Sequence, residues 1–206
     1  LRALETLKAV DLILCEDTRV TRKLLARYKI GKPLLSYHQH SKENKAQEIL
    51  DLLVRGKNLA LVTDAGTPGI SDPGNELVTF LLGKKPDMRI IPIPGPSAAV
   101  ALASVAGIPM DKFVFLGYPP HKKGRKKFFE EVVQSLHPVI FYESPFRIVK
   151  SLQEIDALDA SLRVVMGREL TKKFETIYRG TVQEVISTLK KEKIRGEFVI
   201  VVYQEK

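Results

Sequence analysis

One cysteine, Cys15, stands among 206 residues, and a single thiol cannot close an internal disulfide. So little cysteine fits a reducing, cytoplasmic setting. Histidine is also scarce, with four in the chain, and no Cys/His group has the spacing of a zinc site. His38 and His40 form an i,i+2 pair with no acidic or cysteine partner at metal spacing. They read as polar loop residues that meet substrate, and no metal is expected. The one long uncharged stretch, Ile90 to Met110, has the length of a membrane span. Pro92, Pro94, Pro96 and Pro109 interrupt it, and Ala, Ser and Gly fill much of the rest. It reads instead as a strand, a turn and a small-residue helix. No signal peptide, internal repeat or low-complexity tract is visible. The chain opens on Leu1 rather than Met, inside a helical pattern of Leu1, Leu4 and Leu7, and is expected to lack its native N-terminus.

What the chain has in excess is positive charge. Lys+Arg total 33 against 24 Asp+Glu, a net +9 with a pI near 9.6, which favours anionic partners such as nucleic acid. Its 44% hydrophobic content is that of an ordinary globular protein.

Apolar runs alternate with helical periodicity through the first half. Strands are predicted at Asp11–Cys15, Pro33–Tyr37, Asn58–Val62 and Met88–Ile91. Helices are predicted at Thr18–Tyr28, Ser41–Arg55, Glu76–Leu82 and Pro96–Ala106. In the second of these, Ala46, Ile49, Leu50 and Leu53 recur at the 3.6-residue period. Such alternation predicts an α/β domain with a mostly parallel sheet flanked by helices. The second half has more strands per helix: Phe113–Leu116, Val139–Tyr142, Arg163–Met166, Phe174–Tyr178 and Glu197–Tyr203, with helices at Lys126–Leu136, Pro145–Ile155 and Val182–Lys191. A mixed sheet is expected there. The division falls near Gly107–Lys112, giving α/β domains at residues 1–109 and 110–206.

The segment from Val62 to Gly74, VTDAGTPGISDPG, joins a strand to a helix. Open α/β sheets bind ligands at the carboxyl ends of their strands. Glycines there permit positive φ and close backbone approach, and Asp64 supplies a carboxylate. Such residues also make ordinary turns, but a second strand-to-helix junction, Pro94-Gly95-Pro96-Ser97-Ala98, repeats the chemistry and argues for one shared cleft. Glu16-Asp17-Thr18-Arg19 follows the first strand; its polar residues either face that cleft or cap the next helix. Tyr142-Glu143-Ser144-Pro145-Phe146-Arg147 and Arg168-Glu169-Leu170-Thr171-Lys172-Lys173 repeat the pattern in the second half. His121-Lys122-Lys123-Gly124-Arg125-Lys126-Lys127 loads cations onto a helix start, where the macrodipole disfavours them. That placement is understandable if phosphates lie against it.

Taken together, Asp64-Ala65-Gly66-Thr67-Pro68, Asp72-Pro73-Gly74 and Pro94-Gly95-Pro96-Ser97-Ala98 resemble the tetrapyrrole-methylase-like class of S-adenosylmethionine-dependent methyltransferases. Cys15 to Arg19, Tyr142 to Arg147, Arg168 to Lys172 and Gly196-Glu197 narrow the resemblance to members that 2′-O-methylate a cytidine ribose of small-subunit ribosomal RNA. The motifs keep the family's order along essentially the whole chain. The resemblance implies a homodimeric two-domain α/β enzyme with S-adenosylmethionine in the cleft between the domains. It assigns cofactor contacts to Asp64, Gly66, Thr67, Pro68, Ser97, Ala98 and Tyr142. The family's opening strand with its Thr-Pro-Ile-Gly-Asn-like loop, and a further C-terminal segment, have no counterpart here.

Methyl transfer to a ribose hydroxyl is an in-line displacement, for which the protein must align oxygen, carbon and sulfur and remove the hydroxyl proton. Glu16, Asp17, Glu143 and Glu169 are the candidate bases, left unranked. Arg19, His38, Lys122, Lys123, Arg125, Arg147 and Lys172 are the candidate RNA contacts, guanidinium forks being suited to phosphate. An accessible 2′-hydroxyl favours unpaired RNA. The alternatives are C-methylation of a tetrapyrrole, itself a polyanion, and a non-catalytic RNA-binding dimer.

Overall fold

Alternating apolar runs and amphipathic stretches in the first half assemble into a small parallel sheet. In the computed structural model, which describes residues 1–38, 43–64, 66–72 and 74–205, α1 (Arg2–Ala9) leads into β1 (Leu12–Cys15) and α2 (Thr18–Arg27). Then come β2 (Leu34–Ser36), α3 (Glu43–Val54), β3 (Leu59–Val62) and α4 (Gly74–Lys84). The strand order is β2-β1-β3, all parallel, with Cys15 level with both Ser36 and Val62. Successive residues of the central strand point to opposite faces. Ile13 therefore packs with Leu7, Val10, Leu25 and Ile30, whereas Leu14 packs with Ala46, Ile49 and Leu50 of α3 and Leu77 and Leu81 of α4. Helices on both faces are what parallel crossover connections require.

Met88–Ile91, expected as a strand, forms none. Ile90 and Ile91 stay half-exposed, and Pro92, Pro94 and Pro96 remove alternate N–H donors just beyond them, so no ladder propagates. Residues 41 and 42 of the expected helix at 41–55, and His40, lie outside the described residues.

The second half forms α5 (Ala98–Ser104), β4 (Val114–Phe115), α6 (Arg125–Gln134), β5 (Val139–Glu143) and α7 (Ile148–Leu158). It continues with β6 (Arg163–Arg168), β7 (Thr176–Thr181), α8 (Val182–Leu189) and β8 (Phe198–Tyr203). The sheet order is β4-β5-β8-β6-β7, with β4 and β5 parallel and the remaining pairs antiparallel. One face is covered by α6, α7 and α8, whose Phe129, Leu152, Ile155, Val185 and Leu189 meet Phe141, Met166 and Ile200. On the other face Ala99, Leu102 and Ala106 meet Ile140, Val165, Val199 and Val201. With both faces covered, β8 is apolar at nearly every position and buried from Phe198 to Val202. Each fully buried Leu, Ile or Phe contributes about 1.5–3 kcal/mol. The Thr181 hydroxyl and the Glu184 carboxylate form a reciprocal capping box that starts α8, a device that satisfies two otherwise orphaned amides.

The chain divides into two units, Leu1–Pro96 and Ser97–Lys206. α5 belongs with the second, ahead of the boundary expected at 109/110, because its small residues fit closely against the second sheet. Arg179 reinforces this by donating to the Val105 carbonyl at 2.6 Å. Among the described residues, no helix is long and apolar enough to cross a membrane.

Candidate functional site

In the first unit the register of β1, β2 and β3 brings Glu16, Asp17, Thr63 and Asp64 to one end of the sheet. Glu16 ties two strand tips together, its Oε2 accepting from the Thr63 hydroxyl at 3.2 Å and from the Asp64 amide at 3.4 Å. The Ser36 hydroxyl donates to the Glu16 carbonyl at 3.3 Å, adding the third tip. Asp17 is the N-cap of α2: it accepts from the Arg19 amide at 2.8 Å and pairs with the Arg19 guanidinium at 2.7 Å. That guanidinium, and next the amide, hold the Asp17 carboxyl down at about 2. Of the two readings of this motif, the helix cap is the one the geometry displays. His38 follows β2 and is exposed.

The loop after β3 is organised by Asp72, a residue the sequence motifs contained but did not single out. Its Oδ1 accepts from the amides of Gly69 at 2.6 Å and Gly74 at 2.9 Å, an Asx-type turn that an Asp two residues before a Gly signals. Oδ2 of Asp72 is buried with no hydrogen bond among the described residues. Gly74 has no substitute here, since a Cβ on it would lie 2.7 Å from the Gly69 nitrogen. A Cβ on Gly95 would lie 2.9 Å from the Thr67 hydroxyl oxygen and 3.6 Å from the Gly66 carbonyl oxygen. The two Pro/Gly loops of the first unit therefore press against each other. The Asp64 carboxylate beside them is exposed and accepts no hydrogen bond among the described residues. Pro68 lies in the same loop, and Ala65 and Pro73 lie outside the described residues.

In the second unit Glu143, Phe198 and Arg168 are level across β5, β8 and β6, so the motifs that follow β5 and β6 emerge at one sheet end. Glu143 is fully buried. Its Oε1 accepts from the Ser144 amide and pairs with Arg147, both at 2.8 Å. Its Oε2 accepts from the Ser151 hydroxyl at 2.6 Å and lies 3.7 Å from Arg125. Arg125 also pairs with Glu154 at 2.8 Å and donates to the Ser151 hydroxyl at 2.8 Å and the Pro120 carbonyl at 3.3 Å. Arg147 donates to the Pro119 carbonyl at 3.1 Å. A carboxylate so enclosed suits an anchor for the turn after β4 better than a base, and the buried Arg125 is committed inward rather than offered to a phosphate. The α7 spacing Arg147, Ser151, Glu154 marks one helix face, a signal that could have revealed this network.

Glu169 and Thr171 sit at φ 49° and 65°, and Gly196 at 80°. Positive φ is strained for Thr, which branches at Cβ; its amide donates to the Glu175 carboxylate at 2.5 Å. Glu169 accepts from the Glu197 amide and from Lys172, both at 2.9 Å. First the amide and then the ammonium lower its pKa, and the Lys172 pKa rises in return through Glu169. Ser97 caps α5 by accepting from the Val100 amide at 3.4 Å, with Ala98 as the first helical residue. Tyr142 packs against Phe115 and Tyr118, ring centroids 5.1 and 5.4 Å away. Lys122 and Lys123 are exposed.

This fold is shared with solved structures. Cobalt precorrin-4 methyltransferase superposes at a TM-score of 0.71 with 21% identity, over 98% of this chain and 87% of that one. Diphthine synthase does so at 0.75 with 14% identity, over 100% and 84%. At those identities they speak for the fold alone. The chain belongs to the tetrapyrrole (corrin/porphyrin) methylases, whose family model matches residues 1–186. It is thus a methyltransferase of a family that uses S-adenosylmethionine. Along 98% of its length it is similar to proteins named ribosomal RNA small subunit methyltransferase I. That of Halalkalibacterium halodurans is 42% identical over 69% of its own length. Those of Vibrio cholerae and Thermotoga maritima are 44% and 41% identical, over 71% and 90% of theirs.

The first unit fits the methyl donor. A sulfonium with a free ammonium and ribose hydroxyls calls for a carboxylate, carbonyl oxygens and close backbone. The uncommitted Asp64 carboxylate and the tightly apposed Gly66-Thr67 and Gly95 segments supply these.

Proposed function

We propose that this chain methylates the 2′-hydroxyl of a cytidine ribose in small-subunit ribosomal RNA. The observation that carries the reading is its 41–44% identity, along 98% of the chain, to methyltransferases named for that RNA. The net charge of +9 and the exposed Lys122 and Lys123 beside α6 support a polyanionic substrate.

Bound S-adenosylmethionine supplies an electrophilic methyl group on sulfur. The proposed donor contacts are Asp64, Gly66, Thr67, Pro68, Ser97, Ala98 and Tyr142, as the family resemblance assigns them. Among the four candidate bases, Glu16 is the least committed: among the described residues one oxygen accepts two long hydrogen bonds and the other none. It is our choice to take the hydroxyl proton. Asp17 at about 2 is too weak a base, and Glu143 is enclosed. Arg19 and His38 in the first unit, with Lys122, Lys123, Arg147 and Lys172 in the second, are the proposed RNA contacts. We place the protein in the cytoplasm as a homodimer, on the family resemblance and the single cysteine.

The test is transfer of a labelled methyl group to immature small ribosomal subunits. Label recovered as a 2′-O-methylcytidine is the expected result. Absence of label across pH and salt overturns the reading. Label on porphyrinoids instead would make the chain a tetrapyrrole C-methyltransferase, and RNA binding without donor binding would make it a non-catalytic RNA partner.

A further inference from the structure

Three aromatic rings stand out of the second unit where a folded domain ordinarily hides them. Phe146 is 95% exposed, Phe174 70% and Tyr118 47%. Topology puts all three at one end of the sheet. Tyr118 follows β4, which runs parallel to β5, and Phe146 follows β5 itself. Phe174 lies in the connection leaving β6, whose Arg168 is level with Glu143 of β5 through Phe198. Cations are interleaved with them. Lys122 and Lys123 are exposed in the turn after Tyr118, and Lys173 lies over the Phe174 ring, 5.5 Å from its centroid.

The segments that carry Tyr118 and Phe174 are held in place. Tyr118 is braced by Tyr142 at 5.4 Å. Its turn is pinned by Arg147 on the Pro119 carbonyl and Arg125 on the Pro120 carbonyl, both arginines being set by buried Glu143. The Phe174 loop is fixed by the Glu169–Lys172 pair and by Glu175, which accepts from the Thr171 amide at 2.5 Å. Preorganised rings bind at lower entropic cost than mobile ones.

Exposed aromatic faces between lysines match single-stranded RNA, whose bases stack on rings while cations follow the phosphates. A duplex keeps its base faces covered and offers such rings nothing. We propose that this sheet end is a base-stacking surface for single-stranded RNA, with Tyr118, Phe146 and Phe174 as the stacking residues and Lys122, Lys123 and Lys173 as phosphate contacts. This rests on the RNA reading above and names the state in which that RNA is held.

The experiment measures binding of a twelve-nucleotide single-stranded RNA carrying 2-aminopurine, and of the matching duplex, to the chain and to Tyr118→Ala, Phe146→Ala and Phe174→Ala. Each alanine variant is expected to bind the single strand roughly 5- to 100-fold more weakly, the range for losing one stacked base. Each should also lose part of the 2-aminopurine quenching. Tyr118→Phe keeps the ring and should restore both, which separates stacking from damage to the turn. Lys122→Ala/Lys123→Ala should instead flatten the salt dependence and leave the quenching in place. Alanine variants that bind within twofold of the parent, or a duplex bound as tightly as the single strand, overturn the surface. If those variants and the parent label small subunits equally, the stacking proposal falls alone. If the parent labels no RNA, the methyltransfer reading falls instead.

Discussion

Glu16 and Glu143 hold corresponding positions in the two units, each at the tip of a strand, yet their surroundings differ in kind. Glu16 lies at the end of a three-stranded parallel sheet whose outer strands, β2 and β3, are only partly buried throughout. Its carboxylate makes two long hydrogen bonds on one oxygen. Glu143 ends a strand buried at all but one position and meets two arginines, a hydroxyl and an amide. The first unit presents backbone loops and carboxylates that remain available. The second commits its charges to one another and uses them to set the loops that carry its exposed rings. Availability suits binding and proton transfer, and commitment suits a scaffold.

The largest effect should come from Glu143→Ala, which leaves Arg125 and Arg147 facing each other without their shared partner. Breaking a buried ion pair costs about 3–5 kcal/mol, so the denaturant midpoint should fall steeply. Glu16→Ala removes part-buried neutral-donor bonds worth about 0.5–1.5 kcal/mol each, and should abolish methyl transfer while moving the midpoint little. The reverse pattern, a stable but inactive Glu143→Ala and a collapsed Glu16→Ala, would exchange the roles of the two glutamates.

A smaller effect separates ligand chemistry from architecture within the first unit. Asp64→Ala removes an exposed carboxylate that holds nothing in the fold. S-adenosylmethionine binding should weaken by about 10- to 100-fold, the equivalent of a charged hydrogen bond of roughly 1.5–3 kcal/mol, with thermal stability unchanged. Asp72→Ala should lower both, since Asp72 joins Gly69 to Gly74. Calorimetric titration that finds Asp64→Ala binding like the parent would remove Asp64 from the donor site.

Much of this division was legible in the residues. The 3.6-residue spacing of Ala46, Ile49 and Leu50 and the apolar runs of β1, β5 and β8 foretell their own burial, because element formation is largely local. The Val62–Gly74 composition foretells the loop that joins β3 to α4. What stayed hidden depends on partners distant in sequence. Arg125 reads as a phosphate contact within a basic run, and only the approach of α7 and β5 turns it inward. Ile90 and Ile91 read as strand, yet a strand exists only where a neighbour accepts its hydrogen bonds, and the alternating prolines beyond them deny one. α5 reads as part of the first domain because chain order cannot tell which sheet a small-residue helix will cover.

The smallest effect lies at Asp17, which tests whether the first unit's acidic tip is one site or two functions side by side. Its carboxyl is held at about 2 against an ordinary 3.8, chiefly by the Arg19 guanidinium and then by the Arg19 amide. A lowered folded pKa stabilises the fold in the ionised form. That stabilisation is complete above the ordinary value, declines as pH falls below about 4, and is gone once pH passes below about 2. Carbon-detected titration of Asp17 should show a midpoint near 2 in the parent, rising toward the ordinary value in Arg19→Ala. The amide bond that caps α2 survives that substitution, so the rise should be partial. A midpoint unmoved by Arg19→Ala would assign the depression to the helix start instead, leaving Arg19 free to meet a phosphate. A midpoint that rises means Arg19 is engaged by Asp17 in the unbound protein, and RNA must compete with that carboxylate for it. Glu16, one residue earlier and outside this pair, then remains the less committed carboxylate of the tip.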